Sequence, residues 1–209
     1  MLKCGVVGRG VSKSKTPEIL LKSHGITSCN VYDYAELFAN VAEQMKKDHD
    51  ILFITSPFKD LFGGNVCVRG VIHNTDLRAF ERAYGDLLYE ALNANPRNTL
   101  IVGGGYLGTR INDKLFNGRA EVLGRDDEPR HTQYYAVINT VPESKRVLSN
   151  VETDVAIDLN YIPSLFLQDF LTKGAACQSG INMLEEVVRY AVLLAEQEEY
   201  QHGTYKETM

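Results

Sequence analysis

The stretch Val102-Gly103-Gly104-Gly105-Tyr106-Leu107-Gly108 constrains the fold of this chain more than any other. It is a G-x-G-x-x-G that follows an apolar run over 99–102 and opens an amphipathic segment over 106–116. That strand-turn-helix context is the one in which the pattern predicts a dinucleotide site. The glycines play separate parts. Gly103 permits the tight turn out of the strand, Gly105 lets the backbone approach a pyrophosphate, and Gly108 lets the helix pack closely on the sheet. The pyrophosphate would rest on unpaired N–H groups at the helix start, which makes Gly103, Gly105, Tyr106, Leu107 and Gly108 the candidate cofactor-binding residues. A glycine-rich turn of this kind also serves purely structural ends, and the pattern alone does not separate the two.

The rest of the chain alternates between strand and helix patterns. Strands are predicted over 4–8, 29–34 and 51–55, with helices over 17–24 and 38–47 between them, which makes a βαβαβ unit. A further extended segment over 65–72 and a helix over 76–92 follow. The polar, Pro-containing stretch 93–98 marks the first boundary. Beyond it, parallel strands are predicted over 100–102, 121–123, 135–138 and 155–157, with helices over 106–116, 143–148 and 164–173. A long final helix over 181–198 is long enough to return to the first domain, and the polar tail 201–209 is expected to fray. The fold class is therefore α/β: a small N-terminal α/β domain over 1–95, a Rossmann-type doubly wound parallel sheet over 96–177, and a C-terminal helical segment over 178–209 that packs back on the first domain. No internal repeat is visible in the sequence.

Composition narrows the function. With 209 residues, a net charge of -5 and 23% charged residues, the chain has no electrostatic footprint for nucleic acid or an anionic membrane. No apolar run is long enough to span a bilayer, and a cytoplasmic monomer or homodimer is expected. Cys4, Cys29, Cys67 and Cys177 are far apart and form neither a C-x-x-C pair nor a metal-ligand cluster, so they read as reduced thiols and no metal is expected. His24, His49, His131 and His202 lie in polar or terminal contexts and read as surface residues.

Three further segments carry candidate chemistry. In 8–17, the hydroxyls of Ser12, Ser14 and Thr16 and the free amides of the following helix suit a carboxylate, while Thr16 before Pro17 also suits simple N-capping. Lys59, in Ser56-Pro57-Phe58-Lys59, follows the third strand at the carboxyl edge of the sheet, where ligands of open α/β folds bind. There it can move a proton or hold a substrate hydroxyl, or it is an ordinary solvated lysine. Asp76, in His73-Asn74-Thr75-Asp76, either stabilises its helix N-terminus or positions Lys59.

In order, these segments resemble the shikimate dehydrogenase family. The resemblance runs through G-x-x-x-S-x-S-x-[ST]-P at 8–17, T-x-P-F-K at 55–59, N-T-D at 74–76, G-x-G-x-x-G at 103–108, I-N-T at 138–140 and D-x-x-Y at 158–161, nearly the whole chain. It implies reversible NADP-dependent reduction of 3-dehydroshikimate to shikimate, in aromatic amino acid biosynthesis. Lys59 and Asp76 then become the catalytic pair in a substrate-binding first domain, Ser14 and Thr16 the substrate-carboxylate site, and Thr55, Asn65 and Tyr161 further substrate contacts. Asn139 and Thr140 fall on the nicotinamide side.

The sequence also departs from that family. Only 60–64 separate Lys59 from Asn65 where the family has two helical segments, Val187 stands where its substrate-contacting glutamine falls, Leu77 replaces a glycine, and Arg9-Gly10 replaces Asn-Pro. Arg125, after the second strand of the nucleotide half, favours NADP by pairing with a 2′-phosphate; Asp126 and Asp127 favour NAD. The expectation is an NADP-dependent dehydrogenase, with NAD possible, acting on the CH–OH group of a small carboxylate. Related alternatives are another substrate such as quinate, and a non-catalytic regulatory homologue that binds dinucleotide or metabolite.

Overall fold

The computed structural model describes residues 2–13, 16–22, 26, 28–55, 57–93, 98–124, 126–141, 148–161 and 164–204. The chain divides into two compact units, Met1–Asp76 with Glu185–Met209, and Leu77–Leu184.

The first unit is built on β1 (Cys4–Gly8), α1 (Thr16–Lys22), β2 (Cys29–Asp33), α2 (Ala39–Asp48), β3 (Ile51–Ile54), the single turn α3 (Lys59–Phe62), β4 (Val66–Val68) and β5 (Val71–His73). Its sheet has the order β2-β1-β3-β4-β5. β1 runs parallel to β2 and β3, while β3–β4 and β4–β5 are antiparallel. β1 and β3 read as unbroken apolar runs because they are buried along their whole length. Val7, Leu52, Ile54 and Cys67 pack against Ala42 and Met45 of α2 and against Phe58 and Phe62. Each large side chain fully buried this way contributes roughly 1.5–3 kcal/mol.

Two expectations are corrected here. The segment 65–72 is not one extended run but part of a tight hairpin, β4–β5, turned by Arg69 (φ 45) and Gly70 (φ 87). An arginine at positive φ is uncommon, so the turn carries no Asn-Gly or Asp-Gly sign. His49 is not a surface residue but 4% exposed. Its Nδ1–H donates to the Met45 carbonyl (3.0 Å), which leaves Nε2 to accept from the Tyr32 hydroxyl (3.1 Å). A side chain at Gly5 would strike this ring at 2.8 Å, which accounts for a glycine inside β1.

The second unit contains α4 (Asp76–Tyr84, whose first residue closes the first unit), α5 (Tyr89–Asn93), β6 (Thr99–Val102), α6 (Tyr106–Leu115), β7 (Glu121–Leu123), β8 (Gln133–Asn139), β9 (Glu152–Asp158), α7 (Leu165–Thr172) and β10 (Ala176–Ser179). α8 (Ile181–Thr204) starts in this unit and belongs to the first from Glu185 onward. The sheet, β10-β9-β8-β6-β7, is parallel throughout. Its core joins Leu100, Val102, Val137 and Ala156 to Phe166 and Phe170 of α7. β10 was not expected, since Ala-Cys-Gln-Ser has no strand pattern and is held by pairing with β9. The helix expected over 76–92 is two helices, broken where the Gly85 amide closes on the Glu81 carbonyl at 2.7 Å. α8 runs on through 201–204 rather than fraying at 201. The predicted helix 143–148 falls mostly outside the described residues. Among the described residues, no helix is long and apolar enough to cross a membrane.

Candidate active site

In the second unit, β6 lies between β7 and β8, so the chain leaves β6 and β8 at the point where the winding reverses. Gly103 has φ +108, and a side chain on it would meet Thr140 Oγ1 at 2.6 Å and Val141 Cγ2 at 2.8 Å. Gly108 sits so close to the turn that a side chain would lie 2.1 Å from the Gly103 carbonyl. Gly105, the N-cap of α6, has no atom within 4 Å of where a side chain would stand. The turn thus has two glycines hemmed in by protein and one facing open space. That arrangement fits a pyrophosphate laid against the first amides of α6, those of Tyr106 and Leu107.

Opposite this turn in the sheet, Thr140 follows β8, its amide bonded to the Val102 carbonyl at 2.9 Å and its hydroxyl to the Val102 and Gly103 carbonyls. Asn139 is fully buried, its Nδ2 donating to Asp158 Oδ1 (2.8 Å) and the Val141 carbonyl, and its Oδ1 accepting from the Val141 amide. Asn139 therefore shapes the 139–141 turn. Asp158, which sequence reasoning gave no role, anchors this edge: it is fully buried and accepts from Asn139, from the amide and side chain of Asn160, and from the Ser164 hydroxyl. Tyr161, half-buried, follows directly. Burial pushes the neighbouring Tyr84 hydroxyl far above its ordinary range, and that hydroxyl donates to the Ser179 carbonyl at 2.7 Å.

In the first unit, Thr55 follows β3, its amide bonded to the Val7 carbonyl at 2.9 Å. Its hydroxyl lies over Gly8, where a side chain would come within 1.9 Å of it. The chain then turns into α3, with Phe58 and Phe62 buried beneath and the left-handed Gly63 closing on the Lys59 carbonyl at 2.8 Å. This leaves Lys59 at the carboxyl edge, its side chain 33% exposed and its Nζ 2.5 Å from Asp76 Oδ2. Asp76 is 4% exposed, and its other oxygen accepts from Asn65 Nδ2 at 2.9 Å. The β4–β5 hairpin brings Asn65, just before β4, alongside Thr75 and Asp76, just after β5. A buried carboxylate bonded to a partly exposed ammonium at a sheet edge can hold that amine aimed at a ligand oxygen.

Known structures share this architecture. A shikimate dehydrogenase from Peptoclostridium difficile matches with a TM-score of 0.72 at 15% identity, over 94% of this chain and 92% of that one. The fold is that of shikimate dehydrogenase. The Thermus thermophilus shikimate 5-dehydrogenase, crystallised with NADP(H) and shikimate, matches at 0.71 and 21% identity over 93% of both chains. A quinate dehydrogenase from Corynebacterium glutamicum, crystallised with NAD, matches at 0.62 and 18% identity over 89% of this chain and 91% of its own. No protein-family model and no curated protein sequence matches this chain.

On this shikimate dehydrogenase fold the remaining site residues are unevenly placed. Ser14 and Arg125 lie outside the described residues, and Thr16 opens α1 with its side chain undescribed. Asp127 folds back at the end of β7, Oδ2 accepting the Gly124 amide at 2.8 Å. Asp33, at the end of β2, was also missed by sequence reasoning: it accepts from the amides of Gly10 (2.7 Å) and Ser12 (3.2 Å) and from the Ser12 hydroxyl. Its position as a carboxylate closing a strand beside a glycine turn was the available signal. Val187 is 6% exposed.

Proposed function

We propose that this protein is a nicotinamide-dinucleotide-dependent dehydrogenase acting reversibly on the CH–OH group of a small hydroxy-carboxylate, shikimate or a relative such as quinate. The observation that carries the reading is the Lys59–Asp76 pair, 2.5 Å between Nζ and Oδ2, at the carboxyl edge of a sheet in a chain that also folds a G-x-G-x-x-G turn. The cofactor, when bound, supplies or accepts the hydride. Lys59 donates a proton or a charged hydrogen bond to the substrate oxygen during reduction and recovers it during oxidation. Asp76 holds that amine in place and accepts from a second substrate hydroxyl. Ser14 and Thr16 bind the carboxylate, with Thr55 and Tyr161 completing the clamp.

Arg125 supports NADP by pairing with a 2′-phosphate, against which the Asp127 carboxylate works. Val187, an apolar side chain where the family resemblance calls for a glutamine, favours a substrate lacking the hydroxyl that glutamine would bind. The test follows reduced-nicotinamide absorbance with shikimate or quinate and NADP or NAD in separate reactions. Substrate-dependent reduction abolished by Lys59→Ala is expected. Tight dinucleotide binding with no turnover over a broad hydroxy-acid panel would support a regulatory binder instead.

A further inference from the structure

We propose that a cavity at the amino edge of the first sheet binds a small hydroxylated phosphate monoester. The cavity, about 380 Å³ in volume, is of a size that holds a small metabolite, and Lys3, Lys46, Lys47 and Arg69 line it together with Asp48 and Asp50. It belongs wholly to the first unit. The length of β3, roughly 13 Å at about 3.3 Å per residue, separates it from the carboxyl edge that bears Lys59, and it stands whether or not Lys59 and Asp76 are the reacting pair. Four cations thus gather against two carboxylates in a chain whose net charge is -5. They come from three places in the sequence. Lys46 and Lys47 occupy the last turn of α2, where the helix dipole alone favours cations. Lys3 precedes β1 and Arg69 turns the β4–β5 hairpin, so that dipole accounts for neither.

Arg69 carries the inference. It stands at φ 45 and Gly70 at φ 87, the two left-handed places of a hairpin turn for which Asn-Gly is the favoured pair. An arginine there is strained, and backbone strain of this kind gathers where a side chain is needed for a ligand. The Arg69 amide donates to the Asp50 carbonyl at 2.8 Å, which pins the turn to the start of β3 on the cavity wall. The remaining groups select the ligand. Lys46 is held by Glu43 at 2.5 Å, which leaves Lys3, Lys47 and Arg69 to take a phosphate with two point charges and a planar fork. Asp50 Oδ2 accepts from the Lys3 amide at 2.7 Å and Asp48 Oδ1 from Gln44 Nδ-type amide nitrogen Nε2 at 2.9 Å, so each carboxylate keeps a second oxygen to accept from ligand hydroxyls. His49 also lines the cavity, but both of its ring nitrogens are already bonded, to Tyr32 and to the Met45 carbonyl.

The test is an amide-resolved NMR titration of the full chain with inorganic phosphate, glycerol 3-phosphate and citrate at constant ionic strength. Glycerol 3-phosphate is expected to saturate with a Kd below about 1 mM, to move the amides of 46–50 and 69–70, and to bind several-fold more tightly than inorganic phosphate. Arg69→Asn suits the turn better than arginine, so it should raise the urea midpoint while weakening glycerol 3-phosphate at least about tenfold, the loss of one charge-assisted contact. An arginine with a purely structural part would not gain stability and lose binding together. The double variant Lys3→Gln, Lys47→Gln should weaken both phosphates alike, and Asp48→Ala should narrow the advantage of glycerol 3-phosphate. Shifts confined to 103–108, or a linear response that never saturates, would overturn the proposal. So would native affinity in Arg69→Asn, and citrate bound as tightly as glycerol 3-phosphate would overturn the assignment to a phosphate monoester.

Discussion

Gly8-Arg9-Gly10 and Gly103-Gly104-Gly105 leave the first strands of two sheets that share one strand order, β2-β1-β3-β4-β5 and β7-β6-β8-β9-β10. A threonine after the third strand covers each turn: Thr55 bonds to the Val7 carbonyl and Thr140 to the Val102 carbonyl, both at 2.9 Å. The turns differ at the end of the neighbouring strand. In the first unit Asp33 pairs with Gly8 and its carboxylate takes up the amides of Gly10 and Ser12. In the second unit the corresponding place, next after Leu123, is Gly124, and the N-cap glycine of α6 faces open space. The chain's own carboxylate thus takes up amides of the first turn while Gly105 in the second faces open space, a difference that strand order alone does not decide. The two sheets also end differently. Parallel β9 and β10 continue the second, while the antiparallel β4–β5 hairpin closes the first and assembles Asn65, Thr75 and Asp76.

If the first unit carries the chemistry, Lys59→Ala should lower kcat by about 10²–10⁴-fold, while urea unfolding moves by only about 1–3 kcal/mol. Proportionate losses in turnover and stability would remove the division of labour. The second-largest contrast lies between paired glycines. Gly105→Ala has room and an ordinary φ, so stability should hold within about 0.5 kcal/mol while dinucleotide affinity, read by nicotinamide fluorescence, falls at least about tenfold. Gly10→Ala meets no atom within 4 Å but must adopt φ +71, which costs about 1–2 kcal/mol and should leave dinucleotide affinity alone. Equal effects on affinity would break the comparison.

Smaller effects are expected at Asp33 and at the buried thiols. Asp33→Ala removes three hydrogen bonds from the turn leading to Ser14 and Thr16. Because the site is exposed, it should cost only about 1 kcal/mol, and it should raise KM for a carboxylate substrate with cofactor affinity unchanged. Burial raises the Cys4 thiol from its ordinary 9.0 to about 12 and the Cys29 thiol from 9.0 to about 11. The folded state keeps protons that the unfolded chain gives up, so this stabilisation is complete below pH 9 and is lost as pH climbs toward those values. In the second unit the Tyr134 hydroxyl, raised from 10.0 to about 12 by burial and by its bond to Glu121, gives the same loss from a higher starting pH. Urea midpoints between about pH 8 and 11 should therefore fall less steeply in Cys4→Ala than in the native chain, and identical slopes would reject the assignment.

Much of this was legible from residue order. The apolar runs at β1, β3, β6 and β9 identify themselves because buried parallel strands need no alternation. Gly103 and Gly108 announce their turn because no other residue fits there. β10 gave no such sign, being polar and held by its neighbour. The hairpin at Arg69-Gly70 was hidden because a left-handed arginine is not a recognisable turn former. His49 looked like a surface residue because its partners, Tyr32 and the Met45 carbonyl, come from different elements.

The sequence by itself determined the α/β class, the glycine turn after β6 and the candidacy of Lys59 and Asp76, because each depends on local pattern or on residues of distinctive chemistry. Tertiary structure alone decided that Asn65 grips Asp76, that Asp33 neutralises the first turn, and that Asp158 anchors the edge bearing Asn139. The physical reason is common to all three. Each of these polar groups takes a partner 10 or more residues away along the chain, delivered only by strand pairing, which no local pattern records.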